Sequence, residues 1–234
     1  MPAESIETIV DRQVRSWNAQ RRVADLEPAD RVHGPVVAFS REYGALGAEI
    51  ARTVAARLEF EYYDRELVDR IAATARVREN VVESVDERVR DRISEWVTKQ
   101  FGGDRMTGDD YMKDLSRVVL SLAHHGRAVI VGRGAHFLLA PAWTLRVRAF
   151  AAMDVRVARV AETHVLPPAD ARARVIRMDQ ERAEFALRHF GRDIGDPAAF
   201  DLLFDTGTLP AAACADITVA AFKGKFGAMR AGAR

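Results

Sequence analysis

The sequence predicts an α/β fold, a parallel sheet of about five strands flanked by helices. Three observations predict it. The stretch VVAFSREYGALGAEIARTVAARL, residues 36 to 58, passes from an apolar run through a loop carrying Gly44 and Gly47 into a segment of helical period, which is the outline of strand, loop and helix. Further short apolar runs end on Asp64 and on Gly132-Arg133-Gly134. Helical patterns separate these runs, and parallel strands need such crossovers.

Taken in order, residues 1–33 read as an N-terminal helical extension, with Ile6, Ile9, Val10, Val14 and Trp17 at helical spacing and then a polar, basic stretch reaching Pro28. The domain proper occupies 34–234. Its first strand is expected from Val36 to Phe39, after Gly34-Pro35, and the helix beyond the loop turns Ile50, Val54, Ala55 and Leu58 to one side. FEYYD (60–64), RAVIVGRG (127–134), TLRVRAF (144–150) and ADITVAAF (215–222) supply the other strands. Between the second and third lies a helical insert over 66–125, in which Val77, Val81, Val85, Val89, Ile93, Trp96 and Val97 form an apolar stripe. The stripe packs within the chain or meets a second copy. Its length leads us to expect a homodimer through Val81, Val85, Val89, Ile93 and Trp96, because exposed stripes of this kind are rare on monomers. GGDRMTGDD (102–110) is expected to be a loop, and a second helical block over 169–190 carries Arg172, Arg174, Arg177, Arg182 and Arg188.

Composition narrows the function classes. With 35 basic and 34 acidic side chains the formal charge is +1, so nothing general favours a nucleic acid or an anionic membrane as partner, and any anion site must be local. Cys214 is the single cysteine and has no intrachain partner; it lies among alanines and reads as core. Glu4, Glu7 and Asp11 stand where a secretory signal would be basic and then apolar, and no apolar stretch reaches membrane-spanning length. A cytoplasmic location is expected. His124 and His125 are adjacent, the wrong spacing for two metal ligands on one helix face.

In open parallel sheets ligands sit beyond the carboxyl ends of strands, where Ser40–Gly47, Asp64-Arg65 and Gly132–Gly134 all fall. A glycine-containing turn into a helix offers backbone N–H groups and the positive end of the helix dipole to a phosphate. Ser40, Glu42, Tyr43, Gly44, Ala45, Leu46, Gly47, Ala48 and Glu49 are therefore the candidate phosphate-binding residues. The loop has no lysine. Arg41 is offset by Glu42 and Glu49, leaving the loop side chains one net negative charge. Glu49 either stabilises the first helical turn or helps to hold magnesium. Arg41 either grips phosphate with its guanidinium fork or pairs with a nearby acid.

The blocks FSREYGALGAEIA, YYDREL, VIVGRGAHFLL and FDLLFDTGTL, in this order over residues 35 to about 220, resemble the cytidylate kinase-like family, a divergent branch of the P-loop nucleoside monophosphate kinases. The resemblance implies a P-loop kinase-like sheet with a helical monophosphate-binding insert and a lid at 167–200. It also implies ATP and Mg2+ as cofactors, nucleotides as substrates, and transfer of the ATP γ-phosphoryl group to CMP or a similar acceptor. Two alternatives stand beside this: a nucleotide-binding regulatory protein that has lost catalysis, and a small-molecule kinase with a non-nucleotide acceptor. Against the ordinary P-loop pattern the lysine position falls on Gly47, and Leu46 and Ala48 stand where this branch tends to have glycine and arginine. By the same resemblance Gly132 and Arg133 hold the acceptor, although Gly134 replaces the family's aspartate. Asp64 and Arg65 end the second strand at a comparable place, with Asp64 equally suited to capping a helix. Arg177, Asp179 and Arg182 match the lid, and Arg41, Arg177, Arg182 and Arg188 are the expected catalytic cations.

Overall fold

A computed structural model describes residues 5–21, 34–101 and 110–231. The basic stretch to Pro28 and, apart from Asp110, the loop expected at 102–110 lie outside the described residues. The chain divides into two compact units, one formed by 1–35 and 63–128, the other by 36–62 and 129–234.

The second unit carries the sheet. Strands β1 (Val36–Arg41), β2 (Glu61–Tyr63), β3 (Ala128–Val131), β4 (Thr144–Phe150) and β5 (Leu202–Asp205) lie in the order β2-β3-β1-β4-β5. β1 is parallel to β3, with Val37 opposite Val129, and to β4, with Val37 opposite Leu145; β4 is parallel to β5. Val36, Val37, Ala38 and Phe39 are all buried, as expected of a central parallel strand covered on both faces. The order reverses about β1, which places the turn after β1 at the switch point of the sheet, where ligands of such folds bind.

Helix α2 (Gly47–Leu58) follows that turn and buries Ile50, Ala51, Val54 and Ala55, three or four residues apart, against the sheet core. Each large aliphatic side chain so buried contributes about 1.5–3 kcal/mol. After the short α7 (Ala135–Leu138), helices α8 (Met153–His164) and α9 (Pro168–Phe190) pack through Val157, Val160, Ala171 and Val175, with Tyr43 packed against them. Pro168 opens α9, where its missing N–H costs nothing, and Gly191 ends it in the left-handed conformation.

The strand expected over 215–222 is instead part of helix α10 (Ala211–Ala231). Cys214, Ala215, Thr218, Phe222 and Phe226 are its buried residues, spaced for a helix, and the surrounding alanines favour that state. The fifth strand is β5, inside FDLLFDTGTL. Cys214 is core, as expected, and burial pushes its thiol pKa up.

The other unit is helical: α1 (Ile6–Arg21), α3 (Arg65–Ala73), α4 (Ala75–Glu83), α5 (Glu87–Phe101) and α6 (Asp110–His124). The stripe read as continuous is broken between α4 and α5 at Ser84–Asp86. Val77, Val81, Val85, Val89, Ile93 and Val97 are buried within this chain and Trp96 is half-buried, so the stripe packs within the chain. α1 belongs to this unit as well, burying Ile6, Val10 and Trp17. The Trp17 ring stacks on His125 at 3.9 Å, and His125 Nε2 is 2.8 Å from Ser84 Oγ, which gives His125 a structural role. No helix among the described residues is long and apolar enough to cross a membrane.

Candidate functional site

The turn between β1 and α2 is held from all sides by the rest of its unit. Gly44 has φ +82° and Leu46 has φ 55°. A Cβ on Gly44 would stand 2.9 Å from the Arg156 carbonyl oxygen, so glycine is required there for both conformation and space. Leu46 is the N-cap of α2 and provides no side-chain cap, which leaves the first-turn amides of Gly47 and Ala48 to other acceptors.

The polar groups at the root of the loop are already engaged. Ser40, buried, accepts from Arg148 Nη1 at 3.0 Å. Burial lowers the Arg148 pKa from its ordinary value, and the nearby Glu42 carboxylate opposes that shift. Glu42 lies 3.2 Å from Arg156 Nε and 3.9 Å from Arg148 Nη2, and it accepts from the Ala151 N–H at 3.3 Å. Arg159 donates to the Gly44 carbonyl at 3.4 Å and, with its other nitrogen, to the Thr206 carbonyl at 2.6 Å. Tyr43 N–H donates to Asp179 Oδ1 at 2.8 Å, and Asp179 Oδ2 accepts from Arg156 Nη1.

Arg41 explains the missing lysine. A Cβ added at Gly47 would lie 2.5 Å from Arg41 Cβ, and one at Gly132 would lie 2.4 Å from Arg41 Nη1. The arginine therefore occupies the space a side chain at the lysine position would need, and it crosses to the turn after β3. Gly47→Val should lower the melting temperature, at a cost of about 1–3 kcal/mol for a side chain forced into filled space, and should weaken pyrophosphate binding with it. Scanning fluorimetry and calorimetry check this; an unchanged melting temperature would remove Arg41 from that space.

The turn after β3 is made of three consecutive left-handed residues, Gly132 (φ +83°), Arg133 (φ 51°) and Gly134 (φ +66°). A Cβ at Gly134 would stand 2.2 Å from the Phe190 ring, so the ring fills the place an aspartate would take. Arg133 lies over Phe185, 5.1 Å from its centroid. Next to this turn His136 is buried between Phe137 and Phe200, at 3.9 and 4.8 Å, with no hydrogen-bond partner on either ring nitrogen among the described residues. Burial, with Arg148, Arg146 and Arg192 nearby, pushes its pKa down to about 3, so the imidazole is neutral.

Among the expected lid residues the structure brings Asp179 and Arg182 to the loop. Arg182 Nη1 donates to the Arg41 carbonyl at 2.8 Å, and its guanidinium lies 5.5 Å from the Tyr43 ring centroid. Arg177 faces solvent and pairs only loosely with Glu181 at 3.9 Å, and Arg188 is exposed. In the helical unit Asp64 caps α3 by accepting from the Leu67 N–H at 2.9 Å, and Arg65 lies 3.8 Å from Asp69. Glu49 is exposed in the first turn of α2.

Sequence reasoning missed Arg148, Arg156, Arg159 and Arg174, the last lying 5.8 Å from the Tyr43 ring centroid. With Arg182 they outnumber Asp179, so the groups that reach the loop from elsewhere are positive on balance although its own side chains are not. A signal was present in TLRVRAF: two arginines two apart on one face of an apolar strand each need an anionic partner.

The five-stranded parallel sheet, in the order β2-β3-β1-β4-β5 with a loop-to-helix turn at its switch point, is a P-loop kinase-like fold. Residues 36–208 match the cytidylate kinase-like family, and the chain belongs to that family. No curated protein matches the chain. Among solved structures, an uncharacterized protein from Eubacterium ventriosum is similar with a TM-score of 0.66 and 19% identity, over 81% of this chain and 98% of its own. A shikimate kinase from Bacteroides thetaiotaomicron aligns over 81% of this chain and 97% of its own, with a TM-score of 0.42 and 13% identity.

Proposed function

We propose that the protein transfers the γ-phosphoryl group of ATP to a nucleoside monophosphate, CMP or a similar acceptor. The observation that carries this reading is the place of Arg41, between Gly47 of the loop and Gly132 of the acceptor turn, with Arg182 of α9 held on its carbonyl. The backbone of residues 40–49 binds the donor phosphates. Arg133 receives the acceptor phosphate. Phosphoryl transfer asks the protein mainly for alignment and for positive charge on the equatorial oxygens, and Arg41 and Arg182 supply that charge where a lysine would otherwise act.

The donor set fits magnesium as an ion carried by the nucleotide. Glu42 is taken by Arg156, Arg148 and the Ala151 N–H, which leaves the exposed Glu49 as the loop carboxylate for it, and no cluster of three or more metal-ligating side chains occurs among the described residues. Magnesium, when bound, neutralises charge on the phosphates. Nucleotide binding without transfer is the second reading, favoured by Val131, buried at the end of β3 where an acidic residue would serve the metal. Calorimetry with ATP, with and without magnesium, tests the donor site: micromolar binding that strengthens with the metal supports it, and no binding under either condition removes ATP as donor.

A further inference from the structure

We infer that the Tyr43 N–H and the Arg156 guanidinium form an anion position on which Asp179 sits, and for which a terminal phosphoryl oxygen of a polyphosphate competes. The inference rests on the phosphate-loop reading above and names the internal group that competes for that site.

Two donors converge on one carboxylate. Tyr43 N–H reaches Asp179 Oδ1 at 2.8 Å and Arg156 Nη1 reaches Oδ2. Arg156 is 6% exposed, and its Nε donates to the Ala151 carbonyl at 2.9 Å while facing Glu42 at 3.2 Å. A buried guanidinium fixed on one edge by a carbonyl and a carboxylate presents its other edge to a second anion. Phosphoryl and carboxylate oxygens are equivalent acceptors for that edge and for a loop amide.

The two carboxylates on Arg156 are not equally replaceable. Glu42 is tied to the root of the loop by the Ala151 N–H and by Arg148. Asp179 is reached only through α9, its side chain is 28% exposed, and it can leave for water. Its departure also frees one of the bonds between α9 and the loop, another being the Arg182 bond to the Arg41 carbonyl at 2.8 Å. The occupied position works as a latch: the loop is closed by its own chain, and an incoming anion competes with an internal one. Such a competitor lowers apparent affinity by the fraction of protein it keeps closed.

The test is calorimetric titration of inorganic pyrophosphate, and separately of ATP, into wild type, Asp179→Asn and Asp179→Ala at fixed ionic strength, with a thermal melt of each. Asp179→Ala should bind pyrophosphate about tenfold more tightly than wild type, the worth of one displaced charged hydrogen bond. Asp179→Asn, which keeps an acceptor for Tyr43 but loses the charge facing Arg156, should fall between them and decides the matter if the alanine variant does not fold. Equal or weaker binding by the variants, with wild-type binding intact, overturns the latch and leaves the phosphate loop standing. Tighter binding by the variants without transfer to any monophosphate supports the latch and removes the kinase reading. No binding of either probe by any of the three proteins overturns both.

Discussion

Arg182→Ala should reduce turnover by about 10³–10⁵, the loss seen when an arginine acting on the transferring phosphoryl group is removed, while ATP affinity changes by less than about tenfold. On the proposed reading, the backbone amides of the loop and the dipole of α2 would bind phosphate in the ground and transition states alike and so serve affinity more than rate. Arg182 acts from α9, where its guanidinium reaches the Arg41 carbonyl at 2.8 Å, and so stands next to the charge that shifts. Arg177→Ala is the control, because Arg177 faces solvent beside Glu181 and should leave both quantities near wild type. Steady-state kinetics paired with direct ATP binding separates the effects. An equal loss in kcat and in ATP affinity for Arg182→Ala would make it a binding residue.

Arg156→Ala should cost about 3–5 kcal/mol of stability, as expected when one member of a buried charged set is removed and its partners remain. The guanidinium is 7% exposed by its side chain and serves Glu42, Asp179 and the carbonyls of Ala151 and Tyr43. Its removal takes from Glu42, at the root of the loop, the cation 3.2 Å from it. In a chain of this size each kcal/mol moves the melting temperature by roughly 2–4 °C, so scanning calorimetry reads the loss directly. Arg156→Lys keeps the charge without the fork and should recover only part of it. A melting temperature within about a degree of wild type for the alanine variant would show that Glu42 and Asp179 are held by other means.

The strand, loop and helix at 36–58 were legible because local rules govern them: a continuous apolar run, glycine where the chain turns, and helical spacing after it. The strand at 144–150 and the long helix through 169–190 were legible for the same reason. ADITVAAF was not, since a short apolar run fits a strand or a buried helix equally well and only its packing against α2 and the sheet decides. The apolar stripe from Val77 to Val97 was read correctly as a face, but periodicity does not say what covers a face. Its partner includes α6, with which α4 and α5 pack. At the site, the strand-to-helix turn was visible in sequence, and Arg182, singled out on its helix, lies against that turn. The charge of the site was not, because Arg148, Arg156 and Arg159 reach the loop from β4 and α8, about 110 residues further along the chain, and no local motif announces them.

On the proposed reading, a loop without lysine still supports phosphoryl transfer because arginines from elsewhere in the fold supply the charge. The most direct measurement is transfer from γ-labelled ATP to a panel of nucleoside monophosphates, CMP among them, by wild-type protein with magnesium. Labelled diphosphate is expected from at least one monophosphate, at a rate that falls by orders of magnitude in Arg182→Ala. ATP bound by the wild-type protein with no label transferred to any monophosphate would contradict it, and would leave a nucleotide-binding protein that has kept the kinase fold without its chemistry.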